Sequence, residues 1–250
     1  MADEFFIKHL RVVDSTNNYA REAADALWAE AGGHDRIVAV VADLQTAGRG
    51  QRGNSWHSRP GENLLLTVLV APRFLAPKRQ FLLSQAVALA VSDTLRECGI
   101  EASLKWPNDI YVADRKLAGI LVELDYEADY ISQAIIGVGL NVNQTQFPPL
   151  ERRPVSMRLL TNRSFEVTSV AERFLHSFRR RYSMIALRPE ALCCEYKRSL
   201  IGWNEPMKYT DASGSFVAKI EDVEPDGHLL LRRDDATLSR YAFKEVELCL

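Results

Sequence analysis

The stretch Gln45-Thr-Ala-Gly48-Arg49-Gly50-Gln51-Arg52-Gly53-Asn54-Ser55-Trp56 follows directly on an apolar, β-branched segment at residues 36–43. Its glycines allow main-chain N–H groups to approach a ligand closely, and its two arginines supply fixed positive charge. This Gly/Arg loop (residues 45–56) therefore predicts a site for an anion. It matches neither a P-loop nor a dinucleotide fingerprint, because a second strand at 63–70 follows it where those motifs require a helix. The alternative is a mobile surface turn with solvated arginines.

The composition is that of an ordinary globular protein with a buried core, with 47% hydrophobic and 26% charged residues among 250. A net charge of -2 gives no indication of nucleic acid or an anionic membrane as the main partner. The chain shows no signal-peptide pattern and no apolar run of about 20 residues, so we expect a cytoplasmic protein. No Gly-x-Ser-x-Gly motif is present, which disfavours a hydrolase with a serine nucleophile.

Apolar periodicity predicts the order of helices and strands. We expect strands at 5–13, 36–43, 64–70, 101–106, 110–112, 116–124 and 130–143, and helices at 19–31, 77–98, 168–187 and 188–200. Beyond Gly202 the pattern changes to short alternating strands with Gly and Pro turns, typical of a small antiparallel barrel. We therefore predict a domain at 1–202 and a second one at 203–250.

Several features allow two interpretations. Asp14-Ser-Thr-Asn17 suits a helix N-cap, and Lys116 at the start of an apolar strand suits a snorkelling edge residue. Gly137 and Gly139 indicate either a bulge or a ligand lying against the backbone. Arg179-Arg-Arg181 resembles a nucleic-acid patch, but successive helical residues point in different directions, which favours a solvated face with salt bridges. The proline-containing segment 144–153 is long enough to act as a lid.

Four elements become informative in combination: Asp14-Ser-Thr-Asn17, the Gly/Arg loop, Lys105-Trp-Pro-Asn-Asp109 and Lys116-Leu-Ala-Gly-Ile-Leu-Val-Glu123. In this order they resemble the biotin protein ligases, over about residues 5–143 by motif. The resemblance implies an α+β fold with a mixed β-sheet and helices packed on one side, like class II aminoacyl-tRNA synthetases, plus a small SH3-like C-terminal β-barrel. Because the motifs begin near Met1, we expect the short form without an N-terminal DNA-binding domain.

The resemblance also implies roles for individual residues. Arg49 and Lys116 are the expected catalytic residues, and Asp109 is a possible metal ligand or amine partner, with a structural hydrogen bond as its alternative. The expected biotin-binding residues are Ser15, Thr16, Asn17, Gln45, Gly48, Arg49, Gly50, Gln51, Lys116 and Gly119. The expected contacts to ATP and the adenylate are Arg49, Arg52, Trp56, Lys105, Asn108, Lys116 and Asn141.

The implied reaction uses ATP and Mg²⁺ as co-substrates and biotin as substrate, and the acceptor is a lysine of a biotin carboxyl carrier domain. No DNA or membrane partner is expected, and a homodimer is possible. One departure concerns the Gly/Arg loop, where many relatives have basic residues at the positions of Gln51 and Asn54. In an extended loop Arg52 would point to the other side, which leaves open whether it substitutes for them. We therefore expect weaker retention of the adenylate.

Two other functions compete with this one. A lipoate or octanoate ligase or transferase of the same superfamily acylates a similar carrier lysine, but its pocket needs a long apolar tunnel, whereas Ser15, Thr16, Asn17 and Gln45 suit a polar heterocycle. A nucleic-acid-binding module would use the Gly/Arg loop and the triple arginine, and the net charge argues against it.

Overall fold

The computed structural model describes residues 5–148 and 153–250, without the side chain of Arg52. Within these ranges the chain forms two β-sheets and six α-helices. The first sheet contains β1 (Phe5–Val13), β2 (Ile37–Gln45), β3 (Leu64–Val70), β4 (Ser103–Lys105), β5 (Asp109–Val112), β6 (Arg115–Glu127) and β7 (Tyr130–Leu140). The second contains β8 (Met207–Asp211), β9 (Gly214–Val223), β10 (Leu229–Arg233), β11 (Leu238–Tyr241) and β12 (Val246–Leu248). The helices are α1 (Thr16–Glu22), α2 (Ala24–Ala31), α3 (Phe81–Glu97), α4 (Met157–Thr161), α5 (Val167–Leu187) and α6 (Pro189–Arg198).

The first sheet is mixed, as predicted, with the strand order β1-β2-β3-β7-β6-β5-β4. Strands β1 and β2 run parallel and are joined through α1 and α2, while the other neighbouring strands are antiparallel. Alternate residues of each strand face opposite sides. One face packs against α3, α5 and α6. The prediction of helices on one side holds for these long helices, but α1 and α2 cover part of the opposite face, over Val38, Val40, Leu69 and Ile135.

The segment Asp14–Asn17 is more than a helix cap. Ser15 occupies the N-cap position of α1, but its side chain makes no capping hydrogen bond. Ser15, Thr16 and Asn17 are all buried, at 2–3% exposure. The predicted single helix at 19–31 is divided at Ala23 into α1 and α2. These two short helices hold the polar residues of the first turn of α1 against the sheet.

The second sheet is antiparallel, with the order β11-β10-β9-β8-β12, and agrees with the predicted small SH3-like C-terminal domain. It begins at Met207, and the domain boundary at residue 202 stays a prediction. The turn between β9 and β10 contacts the Lys105–Asp109 motif directly, because the indole Nε1 of Trp106 donates to the Gly227 carbonyl at 3.0 Å. Part of the predicted lid at 144–153 lies outside the described residues. None of the described helices is long and apolar enough to cross a membrane.

The triple arginine belongs to a salt-bridge cluster between helices. Asp93 of α3 is only 5% exposed, and Arg181 of α5 donates two hydrogen bonds to its carboxylate at 2.7 and 3.0 Å. Arg180 reaches the same carboxylate at 3.3 Å, and Arg181 also pairs with Glu195 of α6. Two of the three arginines are therefore engaged in ion pairs that join α3, α5 and α6, which favours the structural interpretation over a nucleic-acid patch.

Replacing Asp93 by asparagine (D93N) is expected to lower the free energy of unfolding by about 2 kcal/mol at neutral pH, since hydrogen bonds between charged groups contribute roughly that much. Burial alone raises the pKa of Asp93, but hydrogen bonds and charge from Arg181 and Arg180 hold it below 3.8. The stabilisation is therefore present above the unfolded pKa and is lost as the pH falls through the lower folded pKa. Denaturant unfolding of D93N and wild type at neutral pH and at about pH 3 measures this difference. A stability difference that does not narrow at the lower pH would contradict the prediction.

Candidate active site

A cleft of about 440 Å³ lies on the face of the first sheet beyond α1, between the Gly/Arg loop and the edge of the second sheet. This volume is in the ordinary range for a small-molecule site. All four motifs singled out in the sequence contribute to its walls. The predicted residues that line it are Ser15, Thr16, Asn17, Gln45, Arg49, Gly50, Gln51, Trp56, Lys105, Asn108, Asp109, Lys116 and Gly119. Residues separated by a hundred positions in the chain are thus brought to one site by the register of β3, β7 and β6.

One end of the cleft is a network of neutral hydrogen-bonding groups. The Gln45 Oε1 accepts from the backbone N–H of Thr16 at 2.7 Å and from its hydroxyl at 3.0 Å. The hydroxyl of Thr67 lies 2.8 Å from Thr16 Oγ1 and 2.6 Å from Asn17 Oδ1. The Asn17 Nδ2 donates to Glu123 at 2.8 Å. Because each amide is held by its neighbours, this end presents donors and acceptors in fixed positions.

The floor of the cleft is made of glycines on paired strands. Gly119 of β6 pairs with Gly139 of β7, and Gly137 lies two residues before Gly139 on the same face. A Cβ on Gly139 would lie 2.5 Å from the Trp56 indole, and a Cβ on Gly137 would lie 2.4 Å from Asn17 Oδ1. Strand β7 pairs with both neighbours through this region, so the bulge interpretation is wrong. These glycines make room for Asn17 and for an aromatic ring directly against the backbone.

The other end of the cleft carries two lysines, each beside a carboxylate. The Lys116 Nζ lies 2.6 Å from Asp109 Oδ1 and 5.8 Å from the centre of the Trp56 ring. Its side chain is about one-fifth exposed, and the carboxylate of Asp109 is almost fully buried. Lys105 Nζ lies 3.8 Å from Glu247 Oε1 on the second sheet. Lys116 is therefore directed into the cleft by a buried partner, and the snorkelling interpretation is wrong.

Among the residues that the structure describes, no cluster of three possible metal-ligand side chains lies in the cleft. Mg²⁺ prefers an octahedral set of oxygen ligands. Asp109 is paired with Lys116, and it belongs to no group of three possible ligand side chains among the described residues. The arrangement favours Asp109 as the partner of Lys116, and a metal role for Asp109 stays a prediction from which we derive no step.

The Gly/Arg loop folds back on itself at the mouth of the cleft. Arg49 and Ser55 form an antiparallel bridge, and the Trp56 N–H donates to the Gly48 carbonyl at 2.9 Å. A Cβ on Gly48 would lie 2.5 Å from the Trp56 carbonyl oxygen, so this close approach requires glycine. Residues Gln51–Gly53 form a 3₁₀ turn, so the argument that placed Arg52 in an extended loop is wrong. Whether Arg52 contacts the adenylate stays a prediction, because its side chain lies outside what the structure describes.

Two further predicted residues lie apart from the main cleft. Gly48 lines a neighbouring cavity under the Gly/Arg loop. Asn141 is buried, and its Nδ2 donates to the Val155 carbonyl at 3.0 Å, so its predicted adenine contact stays a prediction. Asn108 lines the cleft, although its Nδ2 donates to the Ile120 carbonyl at 2.5 Å.

Sequence reasoning missed several residues of the site. Thr67 is the single polar residue in the strand sequence Leu-Leu-Leu-Thr-Val-Leu-Val, and Glu123 is the single charged residue in the apolar run 117–124 of β6. A polar residue in an apolar run signals a hydrogen-bonded role, so both could have been found. The second sheet contributes Tyr209, Lys244 and Leu248 to the cleft, and nothing in the sequence indicates this tertiary contact.

The fold and the motifs of this cleft have counterparts in known proteins. Residues 10–141 match the biotin/lipoate A/B protein ligase family. The chain is 31% identical over 243 residues to the bifunctional ligase/repressor BirA of Bacillus subtilis, covering 95% of this chain and 72% of that protein. It is 30% identical over 216 residues to the biotin–[acetyl-CoA-carboxylase] ligase of Mycobacterium tuberculosis, covering 83% of this chain and 78% of that protein.

A solved structure extends the likeness to both sheets. The biotin protein ligase from Aquifex aeolicus in complex with biotin and ATP superimposes with a TM-score of 0.79 and 25% identity, covering 98% of each chain. The chain belongs to the biotin/lipoate A/B protein ligase family.

Proposed function

We propose that the protein is an ATP-dependent biotin protein ligase, which converts biotin to biotinyl-5′-AMP and transfers the biotinyl group to a lysine of a biotin carboxyl carrier domain. The observation that carries the proposal is the joining of two different ends in one cleft. A neutral hydrogen-bonding end of Thr16, Asn17 and Gln45 suits the ureido ring of biotin, and the cations Arg49 and Lys116, which line the same cleft, suit a carboxylate next to a phosphate.

The first step joins two anions. A carboxylate oxygen of biotin attacks the α-phosphorus of ATP, the bond from that phosphorus to the bridging oxygen breaks, and pyrophosphate leaves. The cations of the cleft reduce the repulsion between carboxylate and triphosphate and stabilise the charge that develops on the α-phosphoryl oxygens. We assign this role to Arg49 and Lys116, with Lys105 at the nucleotide end. Trp56, which lies over the glycine floor, is placed to stack on a flat ligand.

The second step needs no nucleophile from the enzyme. The amine of the carrier lysine attacks the acyl carbon of the adenylate, AMP leaves, and loss of a proton gives the amide. Catalysis is then a matter of positioning and charge stabilisation, which agrees with the absence of a serine hydrolase motif. Mg²⁺ as the counter-ion of ATP, a cytoplasmic location and a homodimer remain predictions.

The competing function within the family is ligation of lipoate or octanoate. Its substrate is apolar at the end that the network of Gln45, Thr16 and Asn17 would face, so these polar groups would lose their contacts with water without gaining partners. The experiment measures pyrophosphate release with ATP and biotin, lipoate or octanoate in turn. We expect release with biotin alone, and release with lipoate or octanoate but not with biotin would overturn the proposal.

Replacing Thr67 by valine (T67V) is expected to weaken biotin binding about fivefold to tenfold, because Asn17 and Thr16 lose a buried partner worth about 1 kcal/mol. Valine has the shape of threonine without its hydroxyl, so packing is retained. The matched control is T67S, which keeps the hydroxyl and should stay within about twofold of wild type. Calorimetric titration with biotin measures the affinities. Equal weakening by T67V and T67S would show that the loss is not specific to the hydroxyl and would contradict the prediction, as would wild-type affinity in T67V.

Replacing Gln51 by arginine (Q51R) is expected to slow the release of biotinyl-5′-AMP several-fold. Gln51 lines the cleft at the 3₁₀ turn of the Gly/Arg loop, where a guanidinium adds a charge-assisted hydrogen bond to the phosphate. The matched control is Q51K, which adds charge without the planar fork and should have a smaller effect. Release is followed by trapping free adenylate with hydroxylamine. Equal release rates for wild type and Q51R would refute the prediction.

A further inference from the structure

Glu123 contacts two parts of the cleft that come from different sequence motifs. It lies on β6 on the same face as Gly119, and its side chain is 20% exposed. One carboxylate oxygen accepts from Asn17 in the first turn of α1, and the other accepts from Arg49 in the Gly/Arg loop. A single side chain thus connects the neutral end of the cleft to the loop that closes it.

The contact with Asn17 fixes the orientation of an amide. Asn17 Nδ2 lies 2.8 Å from Glu123 Oε2, while Asn17 Oδ1 lies 2.6 Å from the Thr67 hydroxyl. The amide group lies directly over Gly137, where no side chain competes for the space. With an acceptor on one side and a donor on the other, only one of the two amide orientations satisfies both neighbours.

The contact with Arg49 fixes a guanidinium. Arg49 Nη2 lies 2.8 Å from Glu123 Oε1, and Nη1 lies 3.4 Å from Oε2 and 2.7 Å from Asn18 Oδ1. The guanidinium is held at the end of β6 nearest α1, although Arg49 is 42% exposed and belongs to a loop. Holding a flexible cation in place before the substrate arrives reduces the entropy cost of binding.

We infer that Glu123 is a positioning residue for biotin: it holds Arg49 in place for the substrate carboxylate and orients Asn17 for the ureido ring. The inference rests on the proposed function. The remaining donors of the Arg49 guanidinium stay available to a second anion, because the guanidinium has five N–H groups. Glu123 itself does not touch the reacting atoms.

The test compares biotin with biotinol, in which a primary alcohol replaces the carboxylate. Calorimetry without ATP gives the affinity of each ligand for wild type, E123Q and E123L. Wild type is expected to prefer biotin by roughly tenfold or more, because a hydrogen bond to a charged group contributes that much. E123Q keeps an acceptor for Asn17 but removes the charge that holds Arg49. It should bind biotinol as wild type does and prefer biotin by less than about threefold. E123L should weaken binding of biotinol as well.

The matched control is D125N, which removes another carboxylate of β6 that pairs with an arginine of α1, Arg21, at 2.9 Å. It should keep the wild-type preference. The inference would be overturned if E123Q preferred biotin over biotinol as strongly as wild type does, or if it lost affinity for both ligands equally. Tighter binding of biotin by E123Q would also overturn it, since Glu123 would then compete with the substrate for Arg49. Because a ratio of affinities does not depend on the active fraction, partial misfolding does not affect this result. If the proposed function were wrong, wild type itself would bind neither ligand.

Discussion

Replacing Lys116 by alanine (K116A) is expected to reduce the rate of adenylate formation by at least about 1,000-fold while the protein remains folded. Loss of one preorganised charge-stabilising donor costs about 10² to 10³ in rate in well-studied enzymes, and here the donor is a full positive charge. The Nζ of Lys116 is directed into the cleft by Asp109 at 2.6 Å. The rate is measured as pyrophosphate release under single-turnover conditions.

The control for this variant is K208A. Lys208 is an exposed lysine of β8 that does not line the cleft, so its removal should leave the rate unchanged. Circular dichroism and thermal unfolding show whether K116A retains the fold, since the variant leaves Asp109 without the ion pair described above. Near-normal pyrophosphate release by folded K116A would refute the catalytic role of Lys116.

Replacing Gly137 by alanine (G137A) is expected to weaken biotin binding by roughly 10- to 100-fold, which corresponds to about 1–3 kcal/mol for a displaced buried polar group. The new Cβ would lie 2.4 Å from Asn17 Oδ1, and Asn17 is held on both sides by Thr67 and Glu123. Relief of the clash therefore requires Asn17 to move out of its hydrogen-bonded position. Calorimetric titration with biotin measures the loss.

A double-mutant cycle separates this mechanism from general damage to β7. N17A alone should weaken biotin binding, and adding G137A to N17A should cost little more, because the clashing amide is absent. If G137A weakened binding equally in both backgrounds, the effect would come from the strand and not from Asn17.

The order of helices and strands could be predicted because it follows from local patterns of apolar residues. Strand β2 is covered on both of its faces, which its β-branched run reflects, and the apolar period of α3 marks it as a core helix. The division of the predicted first helix at Ala23 could not be predicted, since no glycine or proline marks it. The position of α1 and α2 on the opposite face of the sheet was not predicted, because these helices bury only a small apolar cluster.

The polar residues of the cleft could be predicted in large part, because charged and amide side chains at strand ends carry information in their type and order. The glycine floor of the cleft could not be predicted from the sequence. That Gly137 lies under Asn17 and Gly139 under Trp56 depends on the register of β7 with β3 and β6, which joins residues far apart in sequence. The contribution of Lys244 and Leu248 depends on how the C-terminal segment packs against the first sheet, where the ring of Phe243 lies 5.2 Å from that of Trp106.

The measurement that tests the proposed function most directly follows the acyl group through both steps. The protein is incubated with biotin and ATP, the enzyme-bound product is analysed by mass spectrometry, and a biotin carboxyl carrier domain is then added without further ATP. We predict biotinyl-5′-AMP before the addition, and afterwards one biotinyl group on the carrier lysine with release of AMP, but no transfer to a carrier in which that lysine is replaced by arginine. Absence of the adenylate, or transfer to the arginine variant at the same rate, would contradict the account.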